Sequence, residues 1–162
     1  MPPDPSPIRI RIRAPRQADF DAWLPLWDGY NAFYGRAGET ALPLKVTRTT
    51  WTRFFDEDIP MYALVAERDG AVVGLVHYLY HRSTTRLEGT CYLNDLFTRE
   101  DHRGTGVGRA LIEGVYSAAR RARIQRVYWH TQESNAAGRR LYDKVSKHAG
   151  FIVYATDLEA AP

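Results

Sequence analysis

The residues best equipped for chemistry lie between Asn94 and Ile112. Asn94-Asp95-Leu96-Phe97-Thr98 reads as a strand, Arg99 to Arg103 as a polar loop, and Gly104-Thr105-Gly106-Val107-Gly108-Arg109 as a basic glycine cluster opening a helix. Glycines at 104, 106 and 108 remove the Cβ from alternate positions, so backbone N–H groups can close on an anion there. The helix behind them aims its positive end at the same point, and Arg103 adds a cation. Spacing decides which phosphate cradle this is. Arg109 and Ala110 stand where a P-loop needs Lys and Ser or Thr, so nothing would hold Mg²⁺ and ATP chemistry is not expected. A dinucleotide fingerprint begun at Gly104 and Gly106 needs a third glycine where Arg109 stands, and no ribose-binding carboxylate occurs between Arg123 and Tyr128. Arg103-x-x-Gly106-x-Gly108 remains.

That loop resembles the acyl-CoA pyrophosphate loop of the GNAT N-acetyltransferase superfamily. A second stretch extends the resemblance: Arg126-Val127-Tyr128-Trp129-His130-Thr131, then Gln132-Glu133-Ser134-Asn135, then a helix reaching Leu141-Tyr142. The resemblance implies acetyl-CoA as cofactor, its pyrophosphate held by Arg103, Gly104, Thr105, Gly106, Val107, Gly108 and Arg109. It implies that the backbone of Leu96, Phe97 and Thr98 pairs with pantetheine as if with another strand. It implies that Asn135 touches the pantetheine arm and that Tyr142 stands by the thioester sulfur, where it would protonate the departing thiolate. Read from the residues alone, Asn135 is also a helix N-cap, and Tyr142 an aromatic beside the Ala137, Leu141, Val145 stripe.

The implied activity is acetyl transfer to a primary amine. A lysine-like amine is neutral in fewer than about one molecule in a thousand at pH 7, so a proton must be removed before attack. Tyr92 to Phe97 and Tyr128 to Asn135 resemble the histone and polyamine branch, whose diamine acetyltransferases carry a glutamate where this chain has Asn94. Asn94 cannot accept a proton. Asp95 is the candidate base, with Glu133 or a water chain as alternatives. The same branch implies a polyamine, or the lysine of a basic protein or peptide, as acceptor. Asp28, Tyr30 and Tyr34, with Asn94 and Glu133, are the candidate acceptor wall, since aromatic faces and a carboxylate suit a cation. Packing between helices is the other reading of Asp28, Tyr30 and Tyr34. The alternative function is a CoA-binding module without catalysis.

Elements that position these residues follow from periodicity. Ile8, Ile10 and Ile12 alternate with arginines as an edge strand, and Arg16 to Tyr34 reads as helix with a candidate break at Pro25. A helix is expected after Thr49 or Thr50. Strands follow over Met61–Glu67 and Ala71–Tyr80 around the tight turn Asp69-Gly70, then over Cys91–Thr98. Helix is expected from Gly106 to Arg123, then a strand, the Tyr142 helix and a final strand over Phe151–Leu158. The expected fold is α/β (α+β), a mixed and mostly antiparallel GNAT-type sheet with splayed parallel strands.

The chain has 162 residues, 44% of them hydrophobic, enough for one domain over residues 8–162 behind a disordered proline-rich tail at 1–7. Its net charge of +3 does not make it a nucleic-acid binder: Arg120, Arg121, Arg123 and Arg126 gather at a helix end, where cations suit the dipole. The five histidines lack ligand-pair spacing, so no metal site is expected. One cysteine, no signal peptide and no long apolar run point to a cytoplasmic protein without a membrane segment. A sheet edge left near Phe151 to Leu158 would favour a homodimer.

Overall fold

The computed structural model describes residues 9–160, so the proline-rich tail and Ile8 lie outside the described residues. The described residues divide into two compact units between His130 and Thr131.

The first unit is built on a five-stranded sheet in the order β1 (Arg11–Arg13), β2 (Met61–Arg68), β3 (Ala71–His81), β4 (Thr90–Thr98), β5 (Val127–Tyr128). Neighbours are antiparallel through β4, and β4 and β5 are parallel. The mixed fold expected from the sequence is the fold observed. The β2–β3 hairpin turns at Asp69 and Gly70, both at positive φ (52° and 78°), the backbone of a primed turn.

Helix α1 (Phe20–Phe33) covers one face of the sheet, and α3 (Val107–Arg121) packs against β2, β3 and β4 with Val107, Leu111, Ile112 and Val115 buried. On the α1 side an aromatic cluster of Trp23, Trp27, Tyr30 and Trp51 closes over Leu75. Pro25 does not break α1. Proline removes the bond to the Asp21 carbonyl, but Trp23, Leu26 and Trp27 are buried on either side of it, and that burial outweighs one hydrogen bond.

Helix α2 (Leu44–Arg53) begins one and a half turns earlier than expected. Its threonines discourage a helix on propensity. Thr47 and Trp51, four residues apart, nevertheless share its buried face, and Thr47 Oγ1 accepts a bond from Trp27 Nε1 at 3.1 Å. Strand β5 is only two residues long, shorter than the expected run.

The second unit holds α4 (Ala136–Val145), capped by Asn135, whose Oδ1 accepts from the Gly138 N–H at 3.1 Å. No strand forms over 151–158. Phe151, Ile152, Val153 and Tyr154 are exposed, so the expected final strand and its sheet edge are not there. The consecutive apolar and aromatic residues at these positions have strand propensity but no ladder to join.

Candidate active site

The site starts from an irregularity in β4. His77 of β3 faces Asp95, but Tyr78 faces Leu93, so Asn94 is an extra residue on β4. The bulge lets neighbouring side chains meet: Asn94 Nδ2 donates to Asp95 Oδ1 at 2.7 Å. A bulge leaves no composition signature, and the sequence reading missed it.

Behind the bulge lies a buried chain of bonds. Trp23 Nε1 donates to His77 Nε2 at 3.0 Å, and His77 Nδ1 lies 2.9 Å from Asp95 Oδ2. Indole nitrogen only donates, so Nε2 is the acceptor and the ring proton sits on Nδ1, facing the carboxylate. Burial alone would raise the carboxyl's pKa, yet the hydrogen bonds from His77, Tyr30 and Asn94 outweigh it and hold Asp95 below the ordinary carboxylate value. Asp95 is 6% exposed. The sequence-based candidate base is therefore an ionised group with both oxygens occupied, standing behind the surface rather than on it.

Helix α1 supplies the wall in front. Tyr30 stacks on Trp27 with ring centroids 5.6 Å apart, and its hydroxyl lies 3.5 Å from the Asn94 carbonyl oxygen. Burial first, then the Asp95 charge, raise the pKa of both Tyr30 and Tyr34, which keeps them as neutral phenols. Gly29 lets α1 come this close: a Cβ there would stand 2.7 Å from Phe97 Cζ. Asp28 does not join them. Two residues before Tyr30 on a helix is about 200° around the axis, and Asp28 is exposed.

Two neighbours were missed by the sequence reading. Arg36 donates from Nε to Asn31 Oδ1 at 2.7 Å, with its guanidinium carbon 5.6 Å from the Tyr34 ring and 6.0 Å from the Tyr30 ring. Tyr92, on the β4 side of the gap, lies with its hydroxyl 3.3 Å from His130 Nδ1, and its ring 5.1 Å from that of Tyr128.

The parallel pairing of β4 with β5 is limited to Cys91 with Val127 and Tyr92 with Tyr128. Beyond it, Leu96, Phe97 and Thr98 have no β5 residue opposite them among the described residues. That open edge fits an extended arm with amide groups. At its end Arg103 Nε donates to the Thr98 carbonyl at 3.0 Å, and its guanidinium carbon lies 5.3 Å over the Phe97 ring. Gly104 (φ 72°) and Gly106 (φ 90°) both adopt the left-handed backbone, and Gly106 caps α3. A Cβ at Gly104 would meet nothing within 4 Å, so the backbone there is open to a ligand. Thr105 Oγ1 donates to the His102 carbonyl at 2.6 Å, tightening the turn, while Arg109 is exposed and 3.5 Å from Glu113. Val107 is buried at the helix start and contributes only its backbone. These features fit a pyrophosphate: backbone left open by two left-handed glycines, a helix start and two arginines.

In the second unit, Asn135 caps α4 and donates from Nδ2 to Thr131 Oγ1 at 3.0 Å. Tyr142 lies two turns along α4, and Glu133 is exposed, its carbonyl accepting from Arg139. Among the described residues no cluster of histidine, cysteine and carboxylates could hold a metal ion, and no helix is long and apolar enough to cross a membrane.

Comparison with known proteins follows the same lines. The chain is 36% identical over 148 residues to the D-amino-acid N-acetyltransferase HPA3 of Saccharomyces cerevisiae, covering 90% of this chain and 89% of that one. The fold matches an aminoglycoside N-acetyltransferase, AAC(6')-Iy, in complex with a CoA bisubstrate analogue (TM-score 0.79, 13% identity, 93% of this chain and 99% of that one). It also matches a ribosomal-protein-alanine N-acetyltransferase from Brucella melitensis biovar Abortus 2308 (TM-score 0.73, 19% identity, 93% and 100%). Residues 23–146 match the Acetyltransferase (GNAT) family. With that match, an open strand edge and a glycine cradle, the chain belongs to the GNAT family and is an N-acetyltransferase that takes its acetyl group from acetyl-CoA.

Proposed function

We propose that this enzyme acetylates the primary amine of a small molecule that enters between α1 and the β4 bulge, inside one catalytic domain over residues 8–162. The observation that carries the proposal is the meeting of Tyr30, Asn94 and Asp95 at the bulge, beside the point where β4 parts from β5. Tyrosine faces and a buried carboxylate attract an ammonium group. Asp95 supplies the negative charge, Tyr30 and Tyr34 the wall, and Asn94 the polar surface between them. Asp28 has no part in this wall, and Glu133 is left as a contact of the acceptor's far end.

The acetyl group is delivered as a thioester, which is activated toward attack by nitrogen. The backbone of Leu96, Phe97 and Thr98 would hold the pantetheine arm with Asn135, and the loop from Arg103 to Arg109 the pyrophosphate. Tyr142 would give a proton to the leaving sulfur. Tyr142→Phe should therefore lower kcat by about 10²- to 10⁴-fold with acetyl-CoA binding intact.

Two acceptor classes compete. Arg36 favours an amino acid: a guanidinium against the same tyrosine faces would bind a carboxylate bidentately and repel a second positive charge. The relative from yeast, named for D-amino acids, agrees with this. The polyamine or basic-peptide lysine expected from the sequence is the second reading, supported by Tyr30, Tyr34 and Asp95. A thiol-release assay with acetyl-CoA against D- and L-amino acids, spermidine and a histone-tail peptide tests both. Higher kcat/KM for amino acids, lost in Arg36→Gln, is the expected result; faster spermidine turnover, unaffected by that change, would reverse it. No release with any amine would leave a CoA-binding module. A cytoplasmic homodimer completes the proposal, with exposed Phe151 and Tyr154 as contacts. A sedimentation coefficient for an 18.5 kDa species alone would remove the dimer.

A further inference from the structure

With Asn94 where a carboxylate would be needed and Asp95 sealed behind it, the acceptor's proton has no obvious destination. The register supplies one. Tyr92 pairs with Tyr128 at the last step of the β4–β5 pairing; past that step Asn94 continues β4, while His130 follows the end of β5 by two residues, where the opening between the two strands begins. His130 is exposed, so its ring is reachable from that opening. Its orientation is set from β4, because Nδ1 lies 3.3 Å from the Tyr92 hydroxyl. Tyr92 is itself held against Tyr128, whose hydroxyl lies 2.9 Å from His81 Nε2, while His81 Nδ1 lies 2.8 Å from the Arg82 carbonyl oxygen. A carbonyl only accepts, so His81 Nδ1 carries the proton and Nε2 takes one from Tyr128. The aromatic ledge beneath His130 is thus tied down to β3.

We propose that His130 is the residue that takes the proton from the acceptor ammonium, with Tyr92 as its positioning residue. Imidazole exchanges protons near neutral pH, which suits a general base at working pH. With Nδ1–H donating to Tyr92 Oη, Nε2 is the nitrogen that accepts. Burial, then Asp95, Tyr128 and Tyr34, raise the pKa of Tyr92, so it stays a neutral phenol whose oxygen can receive that bond. The ammonium R–NH₃⁺ gives one proton to Nε2, leaving R–NH₂ and an imidazolium. The C–N bond to the acetyl carbon forms as the C–S bond breaks. Tyr142 gives the leaving sulfur its proton to form the thiol and is reprotonated by the second nitrogen proton, and the imidazolium returns the first to solvent. The charges around the Tyr92–Tyr128 ledge on which this ring rests come from β4 (Asp95, acting on Tyr92) and from just before β5 (Arg126, 5.7 Å over the Tyr128 ring), with Tyr34 at the end of α1 neutral.

This assignment rests on the proposed amine acetylation, and its test separates the two. Full-length wild-type protein is assayed for thiol release with acetyl-CoA and its best amine from pH 5.5 to 9. The expected kcat/KM rises with pH through one ionisation and levels off. His130→Gln should lower kcat/KM by about 10²-fold or more and remove the near-neutral limb, with added imidazole restoring part of the rate to His130→Ala. Tyr92→Phe should keep the limb but shift its midpoint. Independently of turnover, the His130 ring signals in NMR spectra of the protein without acetyl-CoA should move when the amine is added alone. A His130→Gln enzyme with wild-type rate and pH profile overturns the proposal while leaving acetylation standing. So does loss of the limb in Asp95→Asn but not in His130→Gln, which would return the proton to Asp95.

Discussion

The cofactor loop and the acceptor wall are held in place by opposite means. Between Arg103 and Arg109 the backbone does the positioning: Gly104 and Gly106 adopt left-handed conformations and Gly106 caps α3. At the wall, side chains position one another across long stretches of sequence, Trp23 to His77 over 54 residues and His77 to Asp95 over 18. A cradle made of backbone can be specified locally by residues that lack a Cβ. A wall made of side-chain bonds depends on two helices and two strands arriving together.

Breaking the wall should do the most damage. His77→Ala removes the donor to Asp95 and the acceptor of Trp23, leaving a buried carboxylate short of a partner and a void among aromatic rings. A loss of about 3–5 kcal/mol is expected from urea unfolding at pH 7. The charge term has a definite pH signature. Asp95 and Asp19 are both held below the ordinary carboxylate range. Asp19 falls from 3.8 to about 2, chiefly through its bond to Arg13, which outweighs burial. A lowered pKa in the folded state contributes stability that is fully present above the unfolded value and is lost as pH falls through the folded one. Wild-type stability should thus decline from about pH 4 toward pH 2. An acid transition as steep in His77→Ala as in wild type would mean that Asp95 has no share in it.

The cradle should respond in ligand binding rather than in the fold. Acetyl-CoA at about a hundredfold its Kd should stabilise the wild-type protein by roughly 2.7 kcal/mol. Gly106→Val adds a β-branched residue at φ 90° and should abolish most of that gain by closing the loop's geometry to phosphate. Its Cβ would come no nearer than 4.0 Å to Ile10, so contact with neighbours is not the reason. Equal melting shifts for mutant and wild type would show that the pyrophosphate lies elsewhere.

This contrast explains what could be read from the chain. The turn at Gly104 and Gly106 was legible because both residues take a left-handed backbone whatever surrounds them, whereas Gly108 lies within α3. The Asp69-Gly70 turn was legible for the same reason. At the wall, the residue types let Tyr30 and Tyr34 be read as an acceptor wall and Asp95 as a base, but not the bonds from His77, Tyr30 and Asn94 that hold the carboxylate. His77 looked like any strand histidine until Trp23 fixed its tautomer, and Asp28 looked equal to Tyr30 until the helix turned it outward. The final strand failed for a related reason: the apolar, β-branched and aromatic run at the start of residues 151–158 states a capacity for pairing, and pairing needs a neighbour.

Phe97 joins the two regions, and the smallest prediction concerns it. Its ring faces Gly29 of α1 on one side and the Arg103 guanidinium on the other. Gly29→Ala would put a methyl 2.7 Å from Phe97 Cζ, closer than side chains approach, so the ring must move. The cost of such overpacking is about 1–3 kcal/mol. Alanine recovers about 1 kcal/mol of helix propensity in the same position, so the net change in stability should be small, near 0–2 kcal/mol. The displaced ring, however, lies under the cation proposed to meet the pyrophosphate. The KM for acetyl-CoA should rise severalfold, while the relative rates with different amines stay as in wild type. A change confined to the amine's KM would mean that Phe97 serves the wall alone and that the two regions are independent.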